Sequence, residues 1–303
     1  MKNRGVLIED TFAEGFTMRA ARIVVTAKTE RWAREAALKF TGFATSVTTC
    51  KCEAAIERSW IPEDTPDARP GVSILLFTTD TESLGKRLIE RIGQTVLTCP
   101  TTNCFDGLPE SPVRVSAGRA LRVFGDKFQI SKVVGGQRYW RVPVMEGEFL
   151  LQESFGVEKQ AVGGGNFLIL GEDADSALAA AEAAVGAING MSGIILPFPG
   201  GIARSGSKIG SRAYKSLVAS TNDAFCPTLR LTTASALAEG VNSVLELVLD
   251  GLDRDAISRA MRLGIDAACR PGVRAITAGN YGGNLGPHRF HLRQIMADGV
   301  NAS

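Results

Sequence analysis

The sequence predicts a mixed α/β fold of two related lobes, and three observations carry that reading. Strand and helix signals follow the order β-α-β-β-α-β in the first half, and the same order returns in the second. The composition, 45% hydrophobic and 22% charged over 303 residues, is that of a chain able to bury two cores. A β-α-β-β-α-β unit is the ferredoxin-like, split-βαβ arrangement: an antiparallel sheet with both helices on one face. The lobes are assigned to residues 1–150, including a β-rich insertion, and 151–303. Each leaves a second sheet face that a neighbouring lobe or a partner subunit should cover.

Each element has its own signal. Residues 23–27 (IVVTA) form a β-branched run and predict the first strand. Trp32, Ala33, Ala36, Ala37 and Phe40 recur at helical spacing, and Gly42 ends that helix. Residues 46–49 (SVTT) predict a weak second strand and 72–78 (VSILLFT) a strong third. Asp80 caps a helix whose apolar face is Leu84, Leu88, Ile89 and Ile92, and 96–98 (VLT) closes the unit. Residues 107–160 are expected to be a connecting β-rich insertion, with short strands at 121–124 (LRVF) and 139–142 (YWRV). The second unit starts with 167–170 (FLIL). A helix from Ala174 follows with Leu178, Ala181, Val185 and Ile188 on one face, and Gly190 stops it. Strands at 194–196 (IIL) and 244–249 (VLELVL) enclose an insertion from Gly200 to Gly240. A helix bearing Ile257, Ala260, Met261, Gly264, Ile265 and Ala268 then leads to 273–277 (VRAIT).

Charge and cysteine usage narrow the function. A net charge of +2 gives no electrostatic drive toward nucleic acid or membrane. The six cysteines are scattered and Cys50-x-Cys52 has neither zinc nor thioredoxin spacing, so the thiols are read as mostly buried in a reducing, cytoplasmic compartment. With only His288 and His291 available, a Cys/His metal site is poorly supplied, and no metal is expected. The N-terminus lacks the apolar core of a signal peptide. The charge-free stretch 183–203 is long enough to span a bilayer, but its glycines and prolines predict a helix end, a turn, a short strand and a loop.

Gly163-Gly164-Gly165 precedes a strand, whereas a dinucleotide loop follows one, and the turn after that strand is the acidic Glu172-Asp173. Gly206-Ser207-Lys208 lacks the Gly-Lys-Ser/Thr order of a phosphate loop. Pro197-Phe198-Pro199-Gly200-Gly201 is more specific. A flat ring could stack on Phe198 while Arg204, Lys208, Arg212 and Lys215 meet anionic groups, or the segment is a solvated surface loop. Glu246 is the most informative single residue. In a strand it shares a face with Val244 and Val248, while the leucines face the helices. The first repeat is read as carrying Leu76 or its neighbour at that position, so the carboxylate is no requirement of the fold. Among apolar neighbours its pKa should rise, which suits proton transfer near neutrality. Asn222-Asp223 stands beside Cys226-Pro227, as Asn103 stands near Cys99-Pro100, and either pair serves a ligand or an Asx-turn. His288 and His291 are placed at an interface or in solvent, and no nucleophile–base arrangement is evident.

Taken together, the motifs resemble one family. They are Ile8-Glu9-Asp10-Thr11-Phe12-Ala13-Glu14, Thr41-Gly42-Phe43, Thr65-Pro66-Asp67 with Arg69-Pro70-Gly71-Val72, and Glu146-Gly147-Glu148-Phe149. Further on come Phe198-Pro199-Gly200-Gly201-Ile202, residues 220–228, and Ala278-Gly279-Asn280-Tyr281-Gly282-Gly283. In order over nearly the whole chain, they resemble formylmethanofuran–tetrahydromethanopterin formyltransferase. The resemblance implies a two-lobed α/β homotetramer. Its reaction would be reversible formyl transfer between N5 of tetrahydromethanopterin and the amine of methanofuran, both carriers being substrates and no cofactor being bound. It implies a catalytic glutamate at Glu246. The carrier-binding set is expected at Phe198, Pro199, Gly200, Gly201, Arg204, Lys208, Asn222, Asp223, Gly279 and Asn280. Archaeal members are typically strongly acidic. The net charge here and the insertion between Val113 and Trp140 look more like the bacterial methylotroph branch, which implies methylofuran as acceptor, formaldehyde oxidation and association with a formyl-hydrolase complex. The alternative is a non-catalytic carrier-binding subunit of such a complex.

Overall fold

The computed structural model describes residues 1–297 and divides into two compact units. The first comprises residues 17–161 and 190–197; the second comprises residues 1–16 and 162–189 and the chain from Phe198 onward.

In the first unit, strands Glu53–Trp60, Gly71–Thr78, Phe12–Thr26 and Asn103–Asp106 lie side by side in that order, each antiparallel to its neighbour. This is the ferredoxin-like strand order. Helices Glu30–Thr41 and Thr81–Arg91 lay Ala33, Ala36, Ala37, Phe40, Leu84 and Leu88 on the sheet residues Ile23, Val25, Ile74 and Leu76, forming one buried core. Asp80 caps the second helix by accepting from the Ser83 N–H at 2.8 Å.

Three sequence expectations are corrected here. Residues 46–49 do not make a strand. Val47–Cys50 is a helical turn whose first N–H is taken by the Glu53 carboxylate at 3.0 Å, and the strand is Glu53–Trp60. That strand is hard to read in the sequence because it carries Glu57, whose charge is neutralised by Arg22 on the Phe12–Thr26 strand. Residues 96–98 are not a strand either. Ile92 and Val96 bury one turn apart in a π-helical extension, and the strand starts at Asn103. Residues 121–124 close a helical turn, Ala117–Leu121, and enter a 3-10 turn that leaves Val123 and Phe124 exposed. Gly118 allows this because a Cβ there would sit 1.9 Å from the Gln152 carbonyl. The rest of the insertion is β-rich as expected. Ile130–Val134, Gln137–Val144 and Gly147–Gln152 form an antiparallel meander, and its last strand runs parallel to Asn103–Asp106.

In the second unit, strand Glu158–Gly171 lies between Ser243–Gly251 and Val273–Thr277, antiparallel to both. The unit begins before the second sequence half. Val6–Ile8 adds parallel to Val273–Thr277, and Phe12 to Gly15 pairs with His288–His291, which draws the N-terminus into it. Helices Ala174–Ile188 and Arg254–Ala268 cover one sheet face, where Ile257, Ala260, Met261, Gly264, Ile265 and Ala268 are all buried. The other face was expected to need a second lobe or subunit. Part of it is covered by the chain's own insertion, which lays Phe225, Leu237 and Val241 on Leu168, Leu170 and Ala275. Among the described residues no helix is long and apolar enough to cross a membrane.

Candidate active site

The site forms where that insertion meets the sheet. Residues directly opposite across an antiparallel pair share a face. Glu246 faces Leu168, and Val244 faces Leu170, so Glu246 projects onto the insertion side while Leu247 and Leu249 are fully buried toward the helices. Ala203 bridges to the same residue. The Ala203 N–H donates to the Glu246 carbonyl at 2.8 Å, and the Ala203 carbonyl accepts the Glu246 N–H at 2.9 Å. This bridge brings the segment from Ala203 to Gly206 alongside the carboxylate.

The result is a cavity of about 1000 Å³ with Glu246 in its wall. Leu168, Val244, Phe225 and Pro227 give it an apolar lining, and Arg204 and Asn222 supply polar groups. Among the described residues no side-chain donor is bonded to the Glu246 carboxylate, and burial alone pushes its pKa up to about 7. A carboxyl poised there exists in both protonation states at neutral pH, which is what a proton relay needs.

Of the residues expected to act, the structure gathers Glu246, Arg204 and Asn222 in this cavity. The others do not line it. Phe198, Pro199, Gly200 and Gly201 form a tight turn leading into it, closed by the Gly201 N–H donating to the Phe198 carbonyl at 2.8 Å. Gly200 and Gly201 have φ of 62° and 81°, values that favour glycine. Lys208 is hydrogen-bonded to Asp223, and Arg212 reaches the same carboxylate at 3.3 Å. The Lys208 contact holds the Asp223 carboxyl below its ordinary range. Gly279 is held at both backbone groups by Asn166, which accepts its N–H at 2.7 Å and donates to its carbonyl at 3.2 Å. Asn280 donates to Thr11 Oγ1 at 3.0 Å. His291 packs on Phe12 with ring centroids 5.2 Å apart.

Sequence reasoning missed Asn166, Tyr281 and Glu14. Glu14 is 1% exposed, and its carboxylate accepts the Gly283 N–H and, at 3.0 Å, the Leu285 N–H. Its signal was a lone acid inside a buried strand, the same pattern that marked Glu246. Tyr281 carried no signal beyond its motif. All six cysteines are free, and Cys50, Cys52, Cys104 and Cys269 are buried. Among the described residues no cluster of His, Cys, Asp or Glu is arranged to hold a metal.

A duplicated α/β fold with a carboxylate of raised pKa in the wall of a large, partly apolar cavity is the setting of an enzyme that handles a sizeable organic substrate. Comparison with known proteins gives the particular family. Residues 1–144 match formylmethanofuran-tetrahydromethanopterin formyltransferase, and residues 147–295 match the proximal lobe of the same enzyme, so the chain belongs to the formylmethanofuran–tetrahydromethanopterin formyltransferase family. It is 57% identical over 297 residues to the formylmethanofuran–tetrahydromethanopterin formyltransferase of Methylococcus capsulatus, covering 97% of this chain and 99% of that one. Two solved structures are similar throughout. The enzyme from Methanosarcina barkeri has a TM-score of 0.93 at 47% identity, covering 97% of this chain and 100% of that one. The second is a chain of the formyltransferase/hydrolase complex from Methylorubrum extorquens, solved with methylofuran. Its TM-score is 0.95 at 48% identity, covering 98% of each chain.

Proposed function

We propose that the chain is an N-formyltransferase moving a formyl group between N5 of tetrahydromethanopterin and the amine of a methanofuran-type carrier, and that Glu246 is its acid–base group. The observation that carries the reading is the Glu246 carboxyl, poised at about 7 in the wall of a cavity large enough for a carrier. The attacking amine must be neutral. As its nitrogen bonds to the formyl carbon, the Glu246 carboxylate takes the nitrogen's proton. The tetrahedral intermediate carries its negative charge on the former carbonyl oxygen, where the Asn222 amide or a backbone N–H can donate. Collapse breaks the bond to the leaving nitrogen, and Glu246 returns the proton to it, so one carboxyl serves as base and then as acid. Arg204, which has no acidic partner among the described residues, is assigned to an anionic tail of a carrier.

Both carriers act as substrates in this reading, and no resident cofactor is invoked. Homotetrameric assembly, a cytoplasmic setting and, as in the Methylorubrum extorquens complex, association with a formyl-hydrolase are parts of the proposal. The test is incubation of the purified chain with formyl-tetrahydromethanopterin and methylofuran. Formylated methylofuran should accumulate. Binding of both carriers without transfer would instead identify a carrier-binding subunit.

A further inference from the structure

The loop after strand Val273–Thr277 runs beside the Glu246 site without lining its cavity, and it is built around Glu14. That carboxylate gathers the Gly283 and Leu285 N–H groups, and Gly282 and Gly283 take φ of 70° and 79° to present them. At its start the loop is clamped by Asn166 on Gly279. At its end Gly286 lies so close to the neighbouring strand that a Cβ would sit 2.1 Å from the Gly15 carbonyl. A loop pinned at start, middle and end presents its tip in one place.

The tip is Tyr281. Its hydroxyl donates to the Ser207 carbonyl at 3.3 Å. Ser207 pairs with Thr221 at the open end of the hairpin formed by Ser207–Ile209 and Ala219–Thr221. Thr221 of that pair, Gly206 just before Ser207 and Asn222 just after Thr221 all line the Glu246 cavity. The bond therefore fastens the hairpin at the cavity rim. The phenol is partly buried, and its pKa is raised, first by burial and then by the charge of Glu246.

We propose that Tyr281 is a positioning residue for formyl transfer. Held by the Glu14-centred loop, it latches the Ser207–Thr221 hairpin so that the cavity wall is formed before a carrier binds. The inference rests on the formyltransferase reading, and wild-type turnover in the same assay tests that reading separately. A latch that touches no reacting atom contributes to binding in ground and transition states alike. Losing one neutral hydrogen bond is worth about a factor of three to ten.

The experiment compares Tyr281→Phe and Glu14→Gln with wild type, using formyl-tetrahydromethanopterin and methylofuran. Tyr281→Phe should raise one carrier's KM about three- to tenfold with kcat within about twofold, and amide exchange should quicken in residues 207–221. Glu14→Gln keeps an acceptor for one N–H but sets an amide against the other. It should raise the same KM and quicken exchange first at Gly283 and Leu285. An active wild type with unchanged KM and unchanged exchange in Tyr281→Phe would overturn the latch. So would a Tyr281→Phe variant that loses only melting temperature, because a purely structural tyrosine would do that. An inactive wild type would overturn the formyltransferase reading itself, and the exchange data would still decide whether Tyr281 fastens the hairpin.

Discussion

Ser73 and Glu246 occupy the same position in the two repeats. Ser73 faces Val24 across its strand pair, as Glu246 faces Leu168, and the capping residues Asp80 and Asp253 follow at the same spacing. The register puts Ser73 at this position, and not Leu76 or its neighbour as the sequence predicts. The position is polar in both repeats but used in opposite ways. Ser73 donates to Glu57 at 2.7 Å, and that carboxylate is also held by Arg22 and by the Gly193 N–H at 2.6 Å. Among the described residues Glu246 has no such partners. A buried carboxylate with every oxygen satisfied is a structural group, whereas one left to desolvation alone is available for chemistry.

Glu57→Gln therefore serves as the structural counterpart of a catalytic-site mutation. It leaves Arg22, only 13% exposed, without its countercharge. Stability measured by urea unfolding should fall by about 3 kcal/mol. kcat per folded molecule should stay near wild type. A large kcat loss with stability intact would mean that the first repeat also contributes to the reaction.

Arg204 and Lys208 are both expected at an anionic tail, and their surroundings in the structure differ. Arg204 lines the cavity, while Lys208 is bound to Asp223. Arg204→Ala should raise a carrier KM about tenfold or more at low salt, consistent with loss of a charge-assisted contact. Lys208→Ala should have a smaller effect, because Lys208 already has a carboxylate partner. Initial rates over both substrate concentrations measure this. The reverse order of effects would assign the tail to Lys208.

The legible parts of this fold were those where one physical signal dominated. The Arg254–Ala268 helix was read residue by residue, because a single apolar stripe at helical spacing sets its buried face. The Glu53–Trp60 strand was not read, because its buried charge is neutralised by Arg22, far away in sequence. The 92–98 segment misled for a related reason. An apolar run fits a strand or the buried turn of a helix equally well until its partners are known. In the site, Glu246 was visible as an acid inside an apolar strand. The pairing of Lys208 with Asp223, and the gathering of the 279–286 loop around Glu14, depend on tertiary contacts that no local pattern encodes.

Gly264 shows packing overriding propensity. Alanine is favoured over glycine within a helix by about 1 kcal/mol. At this position, however, a Cβ would stand 2.7 Å from Ile188 Cδ1 and 3.0 Å from the Phe167 ring, which is itself fully buried. Gly264→Ala should lower stability by about 1–2 kcal/mol despite its better propensity. Chemical denaturation of the variant checks this, and a gain in stability would show that the helix–sheet contact is looser than the structure has it.

Glu246→Gln tests the chemistry itself. The substitution keeps shape and hydrogen-bonding capacity but removes a proton that can be exchanged near neutrality. If Glu246 relays the proton between the two nitrogens, kcat should fall about 10²- to 10⁴-fold with carrier binding nearly unchanged. The pH dependence follows from the raised pKa. The transfer begins with the carboxylate form, so wild-type kcat should drop about tenfold per pH unit below about 7, and the limb should vanish in the Gln variant. Stability moves the other way. A carboxyl whose folded pKa lies above its unfolded value binds more protons when folded, so its stabilising share is complete at acid pH and is lost as pH rises toward and through about 7. Above that pH the wild type holds a partly buried charge with no partner among the described residues. The Gln variant does not, so its melting temperature at pH 8 should equal or exceed the wild type's. A structural glutamate would give the opposite pair of results: a lower melting temperature with nearly normal kcat. Rate profiles and melts across pH 5–9 on both proteins separate the two, and a Gln variant retaining wild-type kcat would end the assignment of the proton relay to Glu246.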